Sequence, residues 1–212
     1  MDRPALLTFD IFGTVVDWRR GLRGALARRG IALPDEAFDR VVDVQGEAER
    51  GRYRAYADVT ALSLVGDLGL PLAEARAVGA TIGTWPLYED SRAGLARLLR
   101  LAPCAAMSNS DLAHGEQVQR ALGFRLSAWI AAEESRCYKP AREFWSYMSR
   151  RLGVPFGRSW WHVSAYADYD LEAARALGLT CVYVARPHAR PGPSHLAVRD
   201  LAELARRVGD LA

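Results

Sequence analysis

Lysine is almost absent from this chain. Of 28 basic residues only one, Lys139, is a lysine; the rest are arginines. Arginine serves as well on a solvated surface, so such a bias leaves lysine where a compact ammonium of adjustable pKa is wanted. Cysteine is scarce too. Cys104, Cys137 and Cys181 are odd in number and form no CxxC pair, which excludes a disulfide framework and fits reduced thiols. No run of about 18 apolar residues occurs, so no membrane span is expected. The opening stretch MDRPALLTFD lacks the long apolar segment and cleavage site of a signal peptide, and a cytoplasmic location is the expectation. Neither sign of charge dominates. The formal net charge is +3, with bases spread among acids along helical segments, which gives nucleic-acid binding no support. His114, His162, His188 and His195 show no metal-ligand spacing, and none is assigned a catalytic role.

What is present is an ordinary globular composition, 50% apolar and 25% charged over 212 residues, enough for one α/β domain and a small insertion. A short apolar run, 5–9, ends at Asp10 and reads as a buried parallel strand. Helical periodicity fills about 19–30 and 35–83, with breaks near Gly51 and Gly69-Leu70-Pro71. From about residue 89 strands and helices alternate. Strands are expected at 102–107, 128–132, 160–163 and 179–184, and helices at 91–101, 115–122, 141–152, 170–177 and about 198–208. That alternation predicts a Rossmann-like, doubly wound parallel sheet. The helical stretch is too long for a connecting loop and reads as an inserted all-helical cap. The expected division is a core of residues 1–16 and 89–212 and a cap of residues 17–88.

In such a sheet ligands bind beyond the carboxyl ends of the strands. Four polar clusters fall there: 10–14, 108–111, 138–139 and 164–170. Asp10 reads either as a turn or cap acid or, partly desolvated at a strand end and faced by N–H donors of the Gly13-Thr14 turn, as a carboxylate nucleophile. Ser108-Asn109 and Asp170 each read as a helix cap or a site group, and Lys139 as a solvated residue or a site ammonium.

The stretch Phe9-Asp10-Ile11-Phe12-Gly13-Thr14 resembles the first signature of the haloacid dehalogenase superfamily, an Asp-x-x-Gly-Thr element after the first strand. Ser108, Lys139-Pro140 and Asp170 follow in the order of its remaining signatures, so the resemblance covers nearly the whole chain. Phosphatases of that superfamily carry a second Asp two residues after the nucleophile, as general acid, and an acidic pair in the fourth motif. Here those places hold Phe12 and Ala165. The segments FDIFGTVVDW, MSNSD, YKPA and HVSAYADYD together resemble the type II 2-haloacid dehalogenases.

That resemblance implies the following chemistry. Asp10 displaces halide from C2 of a small 2-haloalkanoic acid, and water opens the resulting aspartyl ester to a 2-hydroxyacid. Lys139 holds Asp10 ionised, Thr14 and Ser108 donate hydroxyls, and Asp170 positions Lys139 or the water. Phe12, Ile11, Asn109, Ser164 and Trp18 surround the substrate. No metal or other cofactor is implied, and a homodimer is compatible with the family. Two features depart from the pattern. The cap arginine that cradles halide in family members is missing from 41–49, which Arg40 and Arg50 flank, and Ser164-Ala165-Tyr166 lacks the family's Asn. Two other functions stay open: a magnesium-dependent phosphatase using Asp168 and Asp170, and a catalytically silent binding module.

Overall fold

The computed structural model describes residues 2–211. The first strand, β1 (Leu6–Phe9), is buried at every position, as an apolar run without polar alternation requires when both sheet faces are covered. Around it lie β2 (Cys104–Ser108), β3 (Ala128–Ala131), β4 (Trp160–Ser164), β5 (Thr180–Val184) and β6 (Leu196–Val198). They form one parallel sheet in the order β3-β2-β1-β4-β5-β6. From β1 the chain builds outward through β2 and β3, then crosses back to build β4, β5 and β6 on the other side. The order therefore reverses beside β1, which places a ligand crevice beyond the ends of β1, β2 and β4. Phe9 pairs with Ala106 on one side and Val163 on the other. Asp10, Ser108 and Ser164 thus emerge at one edge.

The helices are α1 (Trp18–Ala27), α2 (Asp35–Glu49), α3 (Tyr56–Leu68), α4 (Leu72–Gly79), α5 (Ser91–Leu98), α6 (Leu112–Leu122), the single turn α7 (Ala132–Ser135), α8 (Arg142–Leu152), α9 (Glu172–Ala176) and α10 (Leu201–Gly209). The four helices α1–α4 and a 3₁₀ turn, Ile82–Thr84, form an insertion between β1 and β2. Val16 bridges Leu87 antiparallel, so the chain enters and leaves it side by side. Asp17 caps α1, accepting from the Arg20 N–H at 3.0 Å, and Asp200 caps α10 through the Glu203 N–H at 2.6 Å.

Two local expectations are corrected. The last helix was expected from about residue 198, but residues 196–198 are the edge strand β6, and α10 starts at Leu201. A three-residue strand bonded along one side carries too short a pattern to read. The helix expected over 170–177 is split: a π-helical turn, Ala167–Leu171, precedes α9. Such turns recur at functional sites, and this one carries Asp170.

A candidate active site at the end of the first strand

Asp10 follows β1 and is 5% exposed. The turn behind it needs Gly13, whose φ is +98° and whose missing Cβ would stand 2.5 Å from the Tyr166 hydroxyl. Only glycine meets both demands. The turn brings Thr14 back to its neighbour four residues earlier. Its Oγ1 donates to Asp10 Oδ2 at 2.7 Å and accepts from the Ala165 N–H at 2.9 Å, so the first motif is pinned to the fourth.

Lys139 arrives from the segment before α8 and is 2% exposed. Its ammonium donates to Asp10 Oδ1 at 3.0 Å and to Asp170 Oδ2 at 2.8 Å. Asp170 is fully buried. His162 Nε2 stands 3.1 Å from the same Asp170 oxygen, and His162 Nδ1 is 2.8 Å from Thr8 Oγ1. The Trp160 indole N–H donates to that hydroxyl at 2.8 Å. One tautomer suits this chain, with Nδ1 accepting from Thr8 and Nε2–H on the Asp170 side, close to its carboxylate but without hydrogen-bond geometry. Sequence reasoning gave no histidine a part in the site. His162 holds Asp170, and nothing in its apolar strand signalled that.

The charges divide unevenly. Burial works against the Lys139 ammonium, but Asp10 and Asp170 outweigh it and hold its pKa above that of an ordinary lysine. Burial would likewise raise Asp170, yet Lys139 and His162 hold it well below the usual carboxylate range. Asp10 goes the other way. Burial drives its pKa above the ordinary value against the pull of Lys139, with the Asp170 charge adding to the rise and the Thr14 hydroxyl opposing it. Asp170 is thus the neutralising partner of Lys139. Asp10 is the more basic carboxylate, and so the better nucleophile.

Between sheet and insertion lies a cleft of about 920 Å³, with Lys139, Phe12, Trp18, Tyr56, Tyr166 and Glu49 among its lining residues. Phe12 and Tyr56 stack with centroids 6.3 Å apart, and the Trp18 indole N–H has no partner. Asn109 does not face the cleft. Its amide clamps the Lys139 backbone, accepting from its N–H at 2.7 Å and donating to its carbonyl at 3.1 Å, and also donates to Glu49 at 2.7 Å. Ser108 lies at the same strand edge, but its hydroxyl pairs with Ser110 at 2.8 Å and makes no bond to Asp10. Ser164 accepts from the Tyr166 N–H, and the Ile11 side chain is core; neither lines the cleft.

Of the insertion, Trp18 lines the cleft as the sequence led one to expect, and Arg52, Tyr53 and Tyr56 line it too. Asp111, at the start of α6, accepts from the Tyr53 hydroxyl at 3.0 Å and from the Tyr56 and Ala57 N–H groups at 2.9 and 3.3 Å, so it caps α3 from across the seam. The Tyr138 hydroxyl donates to the Arg54 carbonyl at 2.6 Å and accepts its N–H at 2.8 Å. Arg40 pairs with Asp67 and does not line the cleft, whereas Arg50 lines it and pairs with Glu47.

The residues do not fit magnesium. The ion needs several hard oxygen ligands in octahedral array. Phe12 and Ala165 offer no side-chain oxygen, Asp170 is neutralised by Lys139, and exposed Asp168 accepts from Arg190 at 3.4 Å. Among the described residues no group of three His, Cys, Asp or Glu side chains is placed to hold a metal. Among the described residues no helix is long and apolar enough to cross a membrane.

Residues 4–178 match the haloacid dehalogenase-like hydrolase family. No curated protein matches the chain. Among solved structures, an L-2-haloacid dehalogenase is similar at 27% identity with a TM-score of 0.82, covering 99% of this chain and 100% of that one. The L-2-haloacid dehalogenase from Xanthobacter autotrophicus with chloropropionic acid covalently bound is similar at 19% identity with a TM-score of 0.84, over 99% and 100% of the two chains. A magnesium-bound hydrolase of the same superfamily from Bacillus subtilis, 14% identical, has a TM-score of 0.80 over 99% and 100%. The fold is thus shared by the two dehalogenases and by the magnesium-bound hydrolase, and the choice between them rests on site residues. With the family matched over most of its length, this chain belongs to the haloacid dehalogenase-like hydrolases.

Proposed function

We propose that the protein hydrolyses the carbon–halogen bond of a 2-haloalkanoic acid through an ester on Asp10. The observation that carries this reading is the pairing of a basic, buried Asp10 with Lys139 where the acid and metal ligand of phosphoryl transfer are replaced by Phe12 and Ala165. A leaving alkoxide needs a proton or a metal; a halide leaves as a stable anion and needs neither. In the first step an Asp10 oxygen bonds to C2 from the side opposite the halogen, and the carbon–halogen electron pair leaves with the halide. The Lys139 ammonium and the Thr14 hydroxyl hold the carboxylate in place for that attack. In the second, water adds to the ester carbonyl, Asp10 is released, and a 2-hydroxyacid inverted at C2 departs. Arg52 and Arg136 line the cleft without a carboxylate partner among the described residues, which favours entry of an organic anion.

A single turnover with enzyme in excess, in heavy-oxygen water with 2-chloropropanoate, tests the route. Unlabelled product and label in Asp10 are expected; label in the first product sinks the ester. Halide release is expected to persist in EDTA, and Asp10→Asn to lower kcat by about 10³-fold or more. EDTA-sensitive cleavage of p-nitrophenyl phosphate, with no halide release, would replace this reading by the phosphatase one.

A further inference from the structure

Three acids of α2 line the cleft, and two are spoken for. Asp43 pairs with Arg190 at 2.9 Å and Glu47 with Arg50 at 2.8 Å. Glu49 has no cationic partner within salt-bridge distance among the described residues. Its one hydrogen bond comes from Asn109, the residue that also clamps the Lys139 backbone. The carboxyl is therefore held by a neutral amide, tied to Lys139 through one side chain, with its second oxygen unpartnered at the cleft wall.

An in-line displacement needs the attacking oxygen on one side of the carbon and a donor to the leaving atom on the other. The sheet supplies the first in Asp10; the insertion, which lacks an arginine at 41–49, supplies an acid. We propose that Glu49 in its protonated form donates its O–H to the halogen leaving C2. The balance is simple. The Asp10–C2 bond forms, the carbon–halogen bond breaks with its pair going to halide, and the proton stays on Glu49 as a hydrogen bond to that anion. A donor of this kind helps fluoride most, because fluoride is the strongest hydrogen-bond acceptor of the halides. This role rests on the dehalogenase reading.

The titration behaviour agrees. Burial pushes the Glu49 pKa up to about 8, against the Asn109 bond and Lys139 and with the Asp10 charge adding to the rise. Tyr56, Tyr138 and Tyr169, which feel the Glu49 charge, are all raised above the ordinary tyrosine value by burial first, and Lys139 is raised too; Arg50, Arg52, Arg136, Glu47, Tyr53 and Cys137 line the same cleft. Over neutral and mildly alkaline pH Tyr56, Tyr138, Tyr169 and Lys139 keep their protons, so none of them accounts for a change of charge there.

Calorimetric titration of sodium fluoride into the full-length protein tests the assignment without using turnover. The wild type is expected to bind fluoride at least about ten-fold more weakly at about pH 9.5 than at about pH 6.5. Glu49→Gln, whose amide still donates, is expected to keep binding within about three-fold and to lose the pH dependence, and Glu49→Ala to bind about ten-fold or more weakly at the lower pH. In Asp10→Asn the pH dependence should persist, which assigns it to Glu49. Absent binding, equal wild-type binding at both pH values, or Glu49→Ala binding like wild type overturns the proposal. If pH-dependent fluoride binding occurs but no 2-haloacid releases halide, the substrate reading fails and takes the leaving-group role with it, and Glu49 stands only as a fluoride-binding donor. If halide is released and both Glu49 variants keep the wild-type rate and pH profile, the donor fails and the substrate reading stands.

Discussion

Lys139 spreads one ammonium over two carboxylates, at 3.0 and 2.8 Å. Deleting it leaves Asp10 and Asp170 buried, like-charged and uncompensated. Lys139→Met is expected to lose about 3–5 kcal/mol of stability in urea unfolding together with all halide release. Lys139→Arg should not rescue activity, because a planar fork in this closed space cannot meet both oxygens as a point charge does. A Met variant with wild-type stability would refute the triad. The two acids also separate on a pH scale. Asp10 is raised, so activity should fall with decreasing pH at a midpoint above the ordinary value of about 4. Asp170 is depressed, so its contribution to stability is full above the ordinary carboxylate range and is lost only as pH falls through its lowered pKa. Activity should therefore disappear before the fold does. A pH–rate profile beside circular dichroism checks this, and coincident acid limbs would contradict it.

Among elements, α3 is the one whose start depends on another part of the chain. Its own cap position is Ala55, which has no side-chain acceptor. Asp111 serves instead, accepting the Tyr56 and Ala57 N–H groups while also starting α6. Asp111→Ala should cost about 1–2 kcal/mol and lower the thermal midpoint by several degrees in calorimetry. It should also raise KM, since Tyr53 and Tyr56 line the cleft; an unchanged midpoint would show that α3 is capped without it. The π turn at 167–171 works at the same scale. The Leu171 N–H reaches back to the Tyr166 carbonyl at 3.3 Å, and the turn carries Asp170 inward while Asp168 stays exposed. Residue type alone gives these two acids equal standing as site groups.

At the scale of the molecule, insertion and sheet share one hydrophobic core, in which Trp18, Phe38 and Val59 join Phe9, Met107 and Val163. Asn109–Glu49, Asp111–Tyr53 and Tyr138–Arg54 then stitch the polar seam. Unfolding is expected as a single calorimetric transition with matching van't Hoff and calorimetric enthalpies. Two separated transitions would mean that the insertion melts alone. The sequence by itself determined the parallel sheet and the long helical insertion, because strand and helix periods are properties of the string; it put Asp10, Thr14, Lys139 and Asp170 forward as a set through the order of its motifs and their resemblance to a known family. Ser108, Ser164 and Ile11 were legible as members of the right strand ends but not in their contacts. Only the tertiary structure decided that one ammonium is shared between Asp10 and Asp170, that His162 stands behind Asp170, and that Glu49 has no counter-charge among the described residues. Those facts depend on which groups are withdrawn from water together, and desolvation is set by neighbours distant in the chain.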